Sequence, residues 1–123
     1  FVEAHRQDWG VISRVPLASG MLGGRYDAKH SFPAGDFRGS WPSERMAEVA
    51  RRVEVLRSIV GGDRLPAQSA LAFVLSQPAV STVIVGARTA EQIEETVESS
   101  EHAPLPKDVL GAAYDLFASD FAP

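Results

Sequence analysis

Residues 82–96, TVIVGARTAEQIEET, decide the fold of this 123-residue chain. They open with a short apolar run over residues 82–85, which is typical of a strand that is covered on both faces. A tight glycine turn at 86–88 follows. The next residues carry the T-x-x-Q spacing of a capping box, which predicts a helix over about residues 89–100. A strand followed directly by a turn and a capped helix indicates one βα unit of a parallel sheet.

A second strand is predicted nearer the start of the chain. Residues 1–8 have the pattern of a helix tail that Gly10 stops. The β-branched run VISRV over 11–15 predicts a strand, and Pro16 ends it because proline cannot donate to a sheet. Residues 16–42 then form a long loop with five of the ten glycines. Loops of this length are usually functional or disordered, so this one is a candidate functional segment.

Three further helices are predicted around these strands. Apolar residues recur every three or four positions after Ser43, the predicted cap, and indicate a helix over 43–60 that is closed by Gly61-Gly62. A proline opens a helix over 66–77 that is apolar on most sides and is expected to be buried. Pro106 opens a last amphipathic helix.

The pattern also predicts how the elements pack. In the helix over 89–100, Ile93 and Val97 are expected to face the core, while the glutamates face water. The two strands are joined by helical crossovers and are expected to be adjacent and parallel. Two strands cannot make a parallel sheet that is covered on both faces. Because the chain also begins with Phe1 rather than Met, we expect it to be a piece of a longer protein.

Composition excludes several classes of protein. The chain has 45% hydrophobic and 23% charged residues and a net charge of −4, without a dense run of Lys or Arg, so neither a nucleic acid nor a membrane is an expected partner. It has no Cys, which excludes disulfide scaffolds and thiolate metal sites. The three His lack the spacing of metal ligands, so no metal is expected. No signal peptide or apolar run of ~20 residues is visible, and we expect a cytoplasmic protein.

Two loops are candidates for ligand binding. The start of the helix after residues 86–88 presents free backbone N–H groups, and Arg88 adds a planar guanidinium, so the turn can bind a phosphate. An ordinary helix start with a solvated arginine explains the same residues equally well. The glycine-rich stretch PLASGMLGG over 16–24 lets the backbone approach a ligand closely, and a flexible loop is the alternative.

Three segments resemble the aldo-keto reductase family. The stretch RVPLASGMLGGRY (14–26) resembles its strand-seven segment, and VSTVIVGARTAEQIEET (80–96) resembles its strand-eight cofactor segment. LAFVLSQP (71–78) is similar to the helix before strand eight. The bacterial branch with general stress reductases is the most similar, and the voltage-gated potassium channel β-subunits are more distant. The resemblance implies an α/β fold that is the C-terminal part of a TIM (β/α)8 barrel, incomplete on its own.

The resemblance also implies an NADPH-dependent oxidoreductase that reduces aldehydes or ketones by hydride transfer. The residues implied near the pyrophosphate and nicotinamide are Pro16, Leu17, Ser19, Gly20 and Leu22. The residues implied around the adenosine 2′-phosphate are Gly86, Ala87, Arg88 and Thr89, and those at the adenosine are Gln92 and Glu95.

Arg14 and Thr96 depart from the family's usual residues, and Arg38 has two interpretations. Arg14 stands where many family members carry an aromatic residue that stacks on the nicotinamide, and its planar guanidinium can stack too. Thr96 stands where members often have Asn, which weakens the implied adenine contact. Arg38 is either a clamp over the cofactor or a solvated loop residue.

The family's catalytic Asp, Tyr, Lys and His come from the first five strands, which precede Phe1 in a full-length member. No catalytic residue is therefore expected in this chain, and neither Tyr26 nor Tyr114 is expected to be the acid. The expected partners are a small carbonyl substrate and either the missing N-terminal part of the barrel or a second copy. The alternatives are a non-catalytic nucleotide-binding or assembly module, or a truncated product without function.

Overall fold

The computed structural model describes residues 1–60, 62–102 and 104–122. In chain order its regular elements are α1 (Val2–Arg6), β1 (Val11–Arg14), two 3-10 helices (Ala18–Gly23 and Phe37–Ser40), α2 (Ser43–Val60), α3 (Pro66–Leu75), β2 (Val80–Ile84), α4 (Ala90–Glu98) and α5 (Lys107–Ala118). The predicted order of strands and long helices is confirmed. The two 3-10 helices lie inside the long loop and were not predicted.

The two strands pair in parallel, as predicted, with Ile12 opposite Thr82 and Arg14 opposite Ile84. One face of this sheet is half-buried against α3, whereas the side chains of Ile12, Arg14, Thr82 and Ile84 are exposed on the other face. Two apolar side chains, Ile12 and Ile84, are therefore left exposed on this second face. Because the strands are parallel, the loops that follow them leave from the same edge of the sheet.

Helix α3 is the centre of the packing. It contacts β2, α4, α2 and the 3-10 helix Ala18–Gly23. Pro66 occupies its first turn, where no backbone N–H is needed, and the side-chain oxygen of Gln68 accepts a hydrogen bond from the Leu65 amide at 3.2 Å. Leu71 is only 1% exposed. An apolar helix that is covered on most of its surface is thus what the sequence predicted for this segment.

A smaller apolar cluster joins α2, α3 and α5. Its buried members are Val60, Ala72, Leu105 and Ala113. The end of the chain is tied back onto α2, where a guanidinium nitrogen of Arg51 donates to the Phe121 carbonyl at 3.0 Å. None of the helices in the described part of the chain combines the length and apolarity that crossing a membrane requires.

The face of α4 is not the one predicted. Ile93 and Val97 are 55% and 59% exposed, so the expectation that they face the core is wrong. Instead, α4 packs on α3 through its polar flank: the Gln68 side-chain amide donates to the Glu95 carbonyl and to a Glu98 carboxylate oxygen, both at 3.4 Å. The apolar stripe of α4 therefore faces away from α3.

Element ends differ from the predictions in small ways. Ser43 is the first residue of α2 rather than its cap, because the Met46 amide already donates to the Pro42 carbonyl at 3.1 Å. Gly61, half of the predicted glycine stop, lies outside the described residues, and Gly62 has a left-handed φ of +53°. β2 begins two residues earlier than the predicted 82–85 run and ends at Ile84.

Leu71→Ala tests the central place of α3. In the full-length gene product that carries residues 1–123, we expect the free energy of unfolding to fall by about 2–5 kcal/mol, because a buried leucine leaves a cavity. Urea denaturation followed by circular dichroism measures this loss. Leu75→Ala is the matched control, since Leu75 lies on the same helix but is 38% exposed. An equal loss in both variants would show that the buried face of α3 is assigned wrongly.

Candidate functional site

A cavity of about 580 Å³ lies where both strands end, between their following loops and the start of α4. All of the predicted cofactor residues line it except Leu22 and Thr89. The predicted cofactor residues that line the cavity are Arg14, Pro16, Leu17, Ser19, Gly20, Arg38, Gly86, Ala87, Arg88, Gln92 and Glu95. Two stretches more than sixty residues apart in sequence thus meet at one site. The structure brings these residues together, and their role in binding stays a prediction.

The two exceptions have other contacts. Leu22 lines a second cavity, of about 490 Å³, beside α2 and α3. Thr89 caps α4, because its hydroxyl oxygen accepts the Gln92 amide at 3.2 Å. The Gln92 side-chain oxygen in turn accepts the Arg88 amide at 2.8 Å. The expectation of free N–H groups at this helix start is therefore wrong for the Gln92 amide, while the Arg88 amide that is satisfied by Gln92 lies just before the cap.

These two side chains give the turn a fixed shape. The predicted capping box would send the Gln92 side chain to the Thr89 amide, and it reaches the Arg88 amide instead. Arg88 is consequently held at the rim of the cavity through its backbone, while its guanidinium stays exposed. A phosphate at this turn can then meet the Arg88 side chain together with the first amides of α4.

The loop after β1 is folded tightly. Ala18, Ser19 and Gly20 all have positive φ values, of 47°, 59° and 88°. The amides of Gly20 and Leu22 both donate to the Leu17 carbonyl, at 2.9 and 3.2 Å. A Cβ at Gly20 would lie 3.3 Å from a guanidinium nitrogen of Arg38, so glycine is needed both for φ and for space. The loop thus has a defined backbone shape that local hydrogen bonds support.

Arg38 is buried, with a side chain only 7% exposed, so the expectation of a solvated loop arginine is wrong. Its Nε and one terminal nitrogen donate to the Asp36 carboxylate at 2.9 and 2.7 Å, and the other terminal nitrogen donates to the Ser19 carbonyl at 2.8 Å. The guanidinium also lies 4.1 Å from the centre of the Phe32 ring and 4.8 Å from that of Tyr26. Arg38 therefore ties the two halves of the long loop together.

The Asp36 carboxylate is held ionised by the same contacts. Hydrogen bonds from the Arg38 side chain and the Arg38 amide lower the pKa of Asp36 from 3.8 to about 2, and the charge of Arg88 adds to this shift. The carboxylate in turn raises the pKa of Arg38. Both members of the pair are consequently charged at neutral pH.

Positive charge dominates the cavity wall. Four arginines line it, namely Arg14, Arg25, Arg38 and Arg88, against a single acidic side chain, Glu95. Glu95 lies 3.6 Å from Arg25, and Arg38 is paired with Asp36. Within residues 1–60, 62–102 and 104–122, Arg14 and Arg88 form no salt bridge. The uncompensated charge suits an anionic ligand.

Some lining residues were not predicted, among them Arg25, Tyr26 and Phe37. Arg25 and Tyr26 end the quoted stretch 14–26, but nothing in the sequence indicates that the chain after them folds back over the cavity. The pairing of Asp36 with Arg38 was also missed, although Asp is a preferred residue at a helix N-cap, where its oxygen accepts a backbone amide two residues on. In the described ranges, no group of three or more His, Asp or Glu side chains is placed to hold a metal ion.

Comparison with known proteins identifies the family. The model of the aldo/keto reductase family matches residues 1–115, so the chain belongs to that family, as the sequence motifs indicated. An uncharacterized oxidoreductase of Mycobacterium tuberculosis is 37% identical over 95 residues, which cover 74% of this chain and 28% of the relative. A probable voltage-gated potassium channel subunit beta of Arabidopsis thaliana is 33% identical over 104 residues, which cover 78% of this chain and 31% of the relative.

A solved structure supports the same fold. An aldo-keto reductase from Bacillus halodurans, in its apo form, superposes with a TM-score of 0.65 at 23% identity, over 94% of this chain and 37% of that chain. The chain is therefore an α/β fold with parallel strands that resembles part of an aldo-keto reductase barrel. It spans less than a third of the length of the two curated relatives, whose matched shares are 28% and 31%.

Proposed function

We propose that this chain carries the cofactor-binding end of an NADPH-dependent oxidoreductase that reduces aldehydes or ketones by hydride transfer. The observation that carries the proposal is Arg88, an exposed arginine at the rim of the cavity whose backbone is fixed by the Gln92 side chain. Membership of the aldo/keto reductase family supports the class of reaction.

NADPH fits the residues that line the cavity. A volume of about 580 Å³ is within the range of small-molecule sites, about 300–1,000 Å³. The cofactor carries a pyrophosphate and a 2′-phosphate, and Arg14 and Arg88, the lining arginines that form no salt bridge in the described residues, supply matching positive charge. Gly86 leaves room at the strand-to-helix turn, since a Cβ built there has no atom within 4 Å. Pro16, Leu17 and Ile84 add apolar wall for the rings.

Arg88 and Gln92 have distinct roles in this proposal. Arg88 binds the 2′-phosphate, and its planar guanidinium can form two parallel hydrogen bonds with it. Gln92 sets the turn through the Arg88 amide and lies beside Glu95 on the cavity wall, where both can contact the adenosine. One Glu95 oxygen faces Arg25 at 3.6 Å, and the other carboxylate oxygen can accept a hydrogen bond from the adenosine.

In the proposed reaction this chain orients the cofactor, and a Tyr acid donates the proton. When bound, the reduced nicotinamide supplies a hydride to the carbonyl carbon and is itself oxidised, while the carbonyl oxygen takes a proton and an alcohol results. The chain orients the reacting ring through the tight loop at Pro16–Gly20 and through Arg14, the last residue of β1, whose side chain is on the exposed sheet face. The proton comes from a Tyr acid in the first five strands of the family's barrel.

Exposed apolar side chains support the proposal that further strands and helices of a barrel cover this chain. Ile12 and Ile84 on the sheet, and Ile93 and Val97 on α4, are all more than half exposed. The missing N-terminal strands and helices of a barrel would cover both surfaces, and they would also supply the acid. A cytoplasmic location is part of the proposal, since NADPH serves there as the common reductant.

A second candidate is a non-catalytic nucleotide-binding module. It is favoured by the likeness to a probable voltage-gated potassium channel subunit beta, at 33% identity. Both candidates require the same cavity to bind the cofactor. They differ in whether a carbonyl compound causes the cofactor to be oxidised.

Arg88→Ala tests the cofactor preference. Charge-assisted hydrogen bonds are worth roughly 1.5–3 kcal/mol each, and part of that is lost to solvent, so a net loss of about 2–3 kcal/mol is expected. In the full-length gene product the dissociation constant for NADPH should rise by about 30- to 150-fold, and that for NADH should hardly change. Titration of the cofactor's fluorescence measures both constants.

Arg6→Ala is the control for this titration, because Arg6 lies on α1, away from the cavity, and pairs with Glu3 at 2.6 Å. The loss in Arg88→Ala should shrink at high salt, since the site is exposed to solvent. Equal weakening of NADPH and NADH by Arg88→Ala would show that Arg88 is not the ligand of the 2′-phosphate.

Turnover separates the two candidate functions. We expect the full-length gene product to oxidise NADPH when an aromatic aldehyde is added, and the 123-residue chain alone to show no turnover, because the proposed Tyr acid belongs to the first five strands of the family's barrel. Absorbance at the nicotinamide band measures both rates against a no-protein control. Cofactor binding without turnover by the full-length product would favour the non-catalytic module. Turnover by a mass-verified 123-residue chain would contradict the proposal that the acid lies outside this chain.

A further inference from the structure

We propose that Asp36 is a positioning residue of the cavity: through Arg38 it holds the backbone of residues 18–20 in the shape that forms the cavity wall. The inference rests on the proposed function, because the wall is the one assigned to the cofactor. It concerns a residue that does not line the cavity itself.

The first step is the way in which Asp36 fixes Arg38. The carboxylate accepts three hydrogen bonds from the same residue: from the Arg38 amide at 3.0 Å, from Nε at 2.9 Å and from a terminal nitrogen at 2.7 Å. Both side chains are buried, with exposures of 7% for Arg38 and 6% for Asp36. A bidentate contact of this kind sets the plane and direction of the guanidinium.

The second step is the contact from Arg38 to the loop. With two nitrogens bound to Asp36, the remaining terminal nitrogen points at the Ser19 carbonyl and donates to it at 2.8 Å. The rings of Phe32 and Tyr26 pack on the guanidinium, at 4.1 and 4.8 Å from their centres. The guanidinium is thus oriented by Asp36 and flanked by two rings, and from this position it donates to the Ser19 carbonyl.

The third step is the backbone that this contact holds. Ala18 and Ser19 have φ values of 47° and 59°, which residues other than glycine rarely adopt. Such backbone persists only when its surroundings hold it in place. The hydrogen bond from Arg38 reaches the loop from a residue nineteen positions away, whereas the loop's other backbone bonds are local. Without Asp36, Arg38 is free to turn, and the loop can relax.

A purely electrostatic role for Asp36 predicts the opposite effect on binding. Its carboxylate interacts with Arg88, so it reduces the positive field that an anionic ligand meets. If charge were all that Asp36 contributed, its removal would tighten the binding of NADPH. If Asp36 positions the loop, its removal weakens binding. The sign of the change therefore separates the two roles.

The test compares Asp36→Ala with wild type in the full-length gene product. We expect the dissociation constants of NADPH and NADH to rise together by about ten-fold, because the wall contacts parts that both cofactors share. Asp27→Ala is the matched control: Asp27 lies in the same loop and its carboxylate likewise accepts an amide two residues on, from Lys29 at 2.8 Å, but in the described part of the chain it forms no salt bridge. The control should bind both cofactors as wild type does.

A double variant shows whether Asp36 acts through Arg38. If it does, Asp36→Ala/Arg38→Ala weakens binding no more than Arg38→Ala alone, since the two residues work as one unit. Additive losses would overturn the proposal. So would tighter NADPH binding by Asp36→Ala, or unchanged binding of both cofactors.

Hydrogen exchange gives a readout that needs no cofactor. In Asp36→Ala the amides of Gly20 and Leu22, which donate to Leu17, should exchange faster, while those of α3 stay as protected as in wild type. Unchanged exchange at these amides would overturn the proposal. If wild type binds neither cofactor, the proposed function fails, and the exchange experiment still decides whether Asp36 holds the loop.

Discussion

The parallel pairing of β1 with β2 is the constraint on which the rest of the structure depends. Parallel strands must be joined by a crossover, and α2 and α3 form it, with α3 packed on β2. The same pairing places the loop after Arg14 beside the turn after Ile84. A glycine-rich loop and a capped helix start, which are distant in sequence, therefore share one cavity.

Arginine side chains determine the charge of that cavity. Of the four arginines in its wall, Arg38 is committed to Asp36 and Ser19, and Arg25 faces Glu95. Arg14, the last residue of β1, and Arg88, in the turn after β2, keep their charge available in the same cavity. The structure thus separates arginines that shape the site from arginines that can meet an anion, and this separation is the basis of the proposed NADPH site.

Much of the fold and of the site could be predicted from the sequence because the signals were local. Pro66 marked the start of α3, Thr89 marked the cap of α4, and the β-branched runs marked both strands. The motifs at 14–26 and 80–96 named most of the cavity wall. Where periodicity alone was used to assign a face, as for Ile93 and Val97, the result was wrong, because α4 packs on α3 through Gln68.

The contacts that escaped prediction are those made by the loop when it folds back. Neither the burial of Arg38 nor its bond to Ser19 follows from spacing, since the two residues lie nineteen positions apart in the loop. The interaction depends on Phe32 and Tyr26 packing on the guanidinium, which is a tertiary effect. Sequence alone identified Arg38 as relevant but could not tell a clamp from a solvated residue.

A crystal structure of the full-length gene product with bound NADP⁺ tests the central claim most directly. We expect the 2′-phosphate to lie within hydrogen-bond distance of the Arg88 guanidinium, and the rest of the cofactor to lie along residues 16–20. A cofactor bound with its 2′-phosphate away from Arg88, or in a cavity other than the one between the two loops, would contradict it.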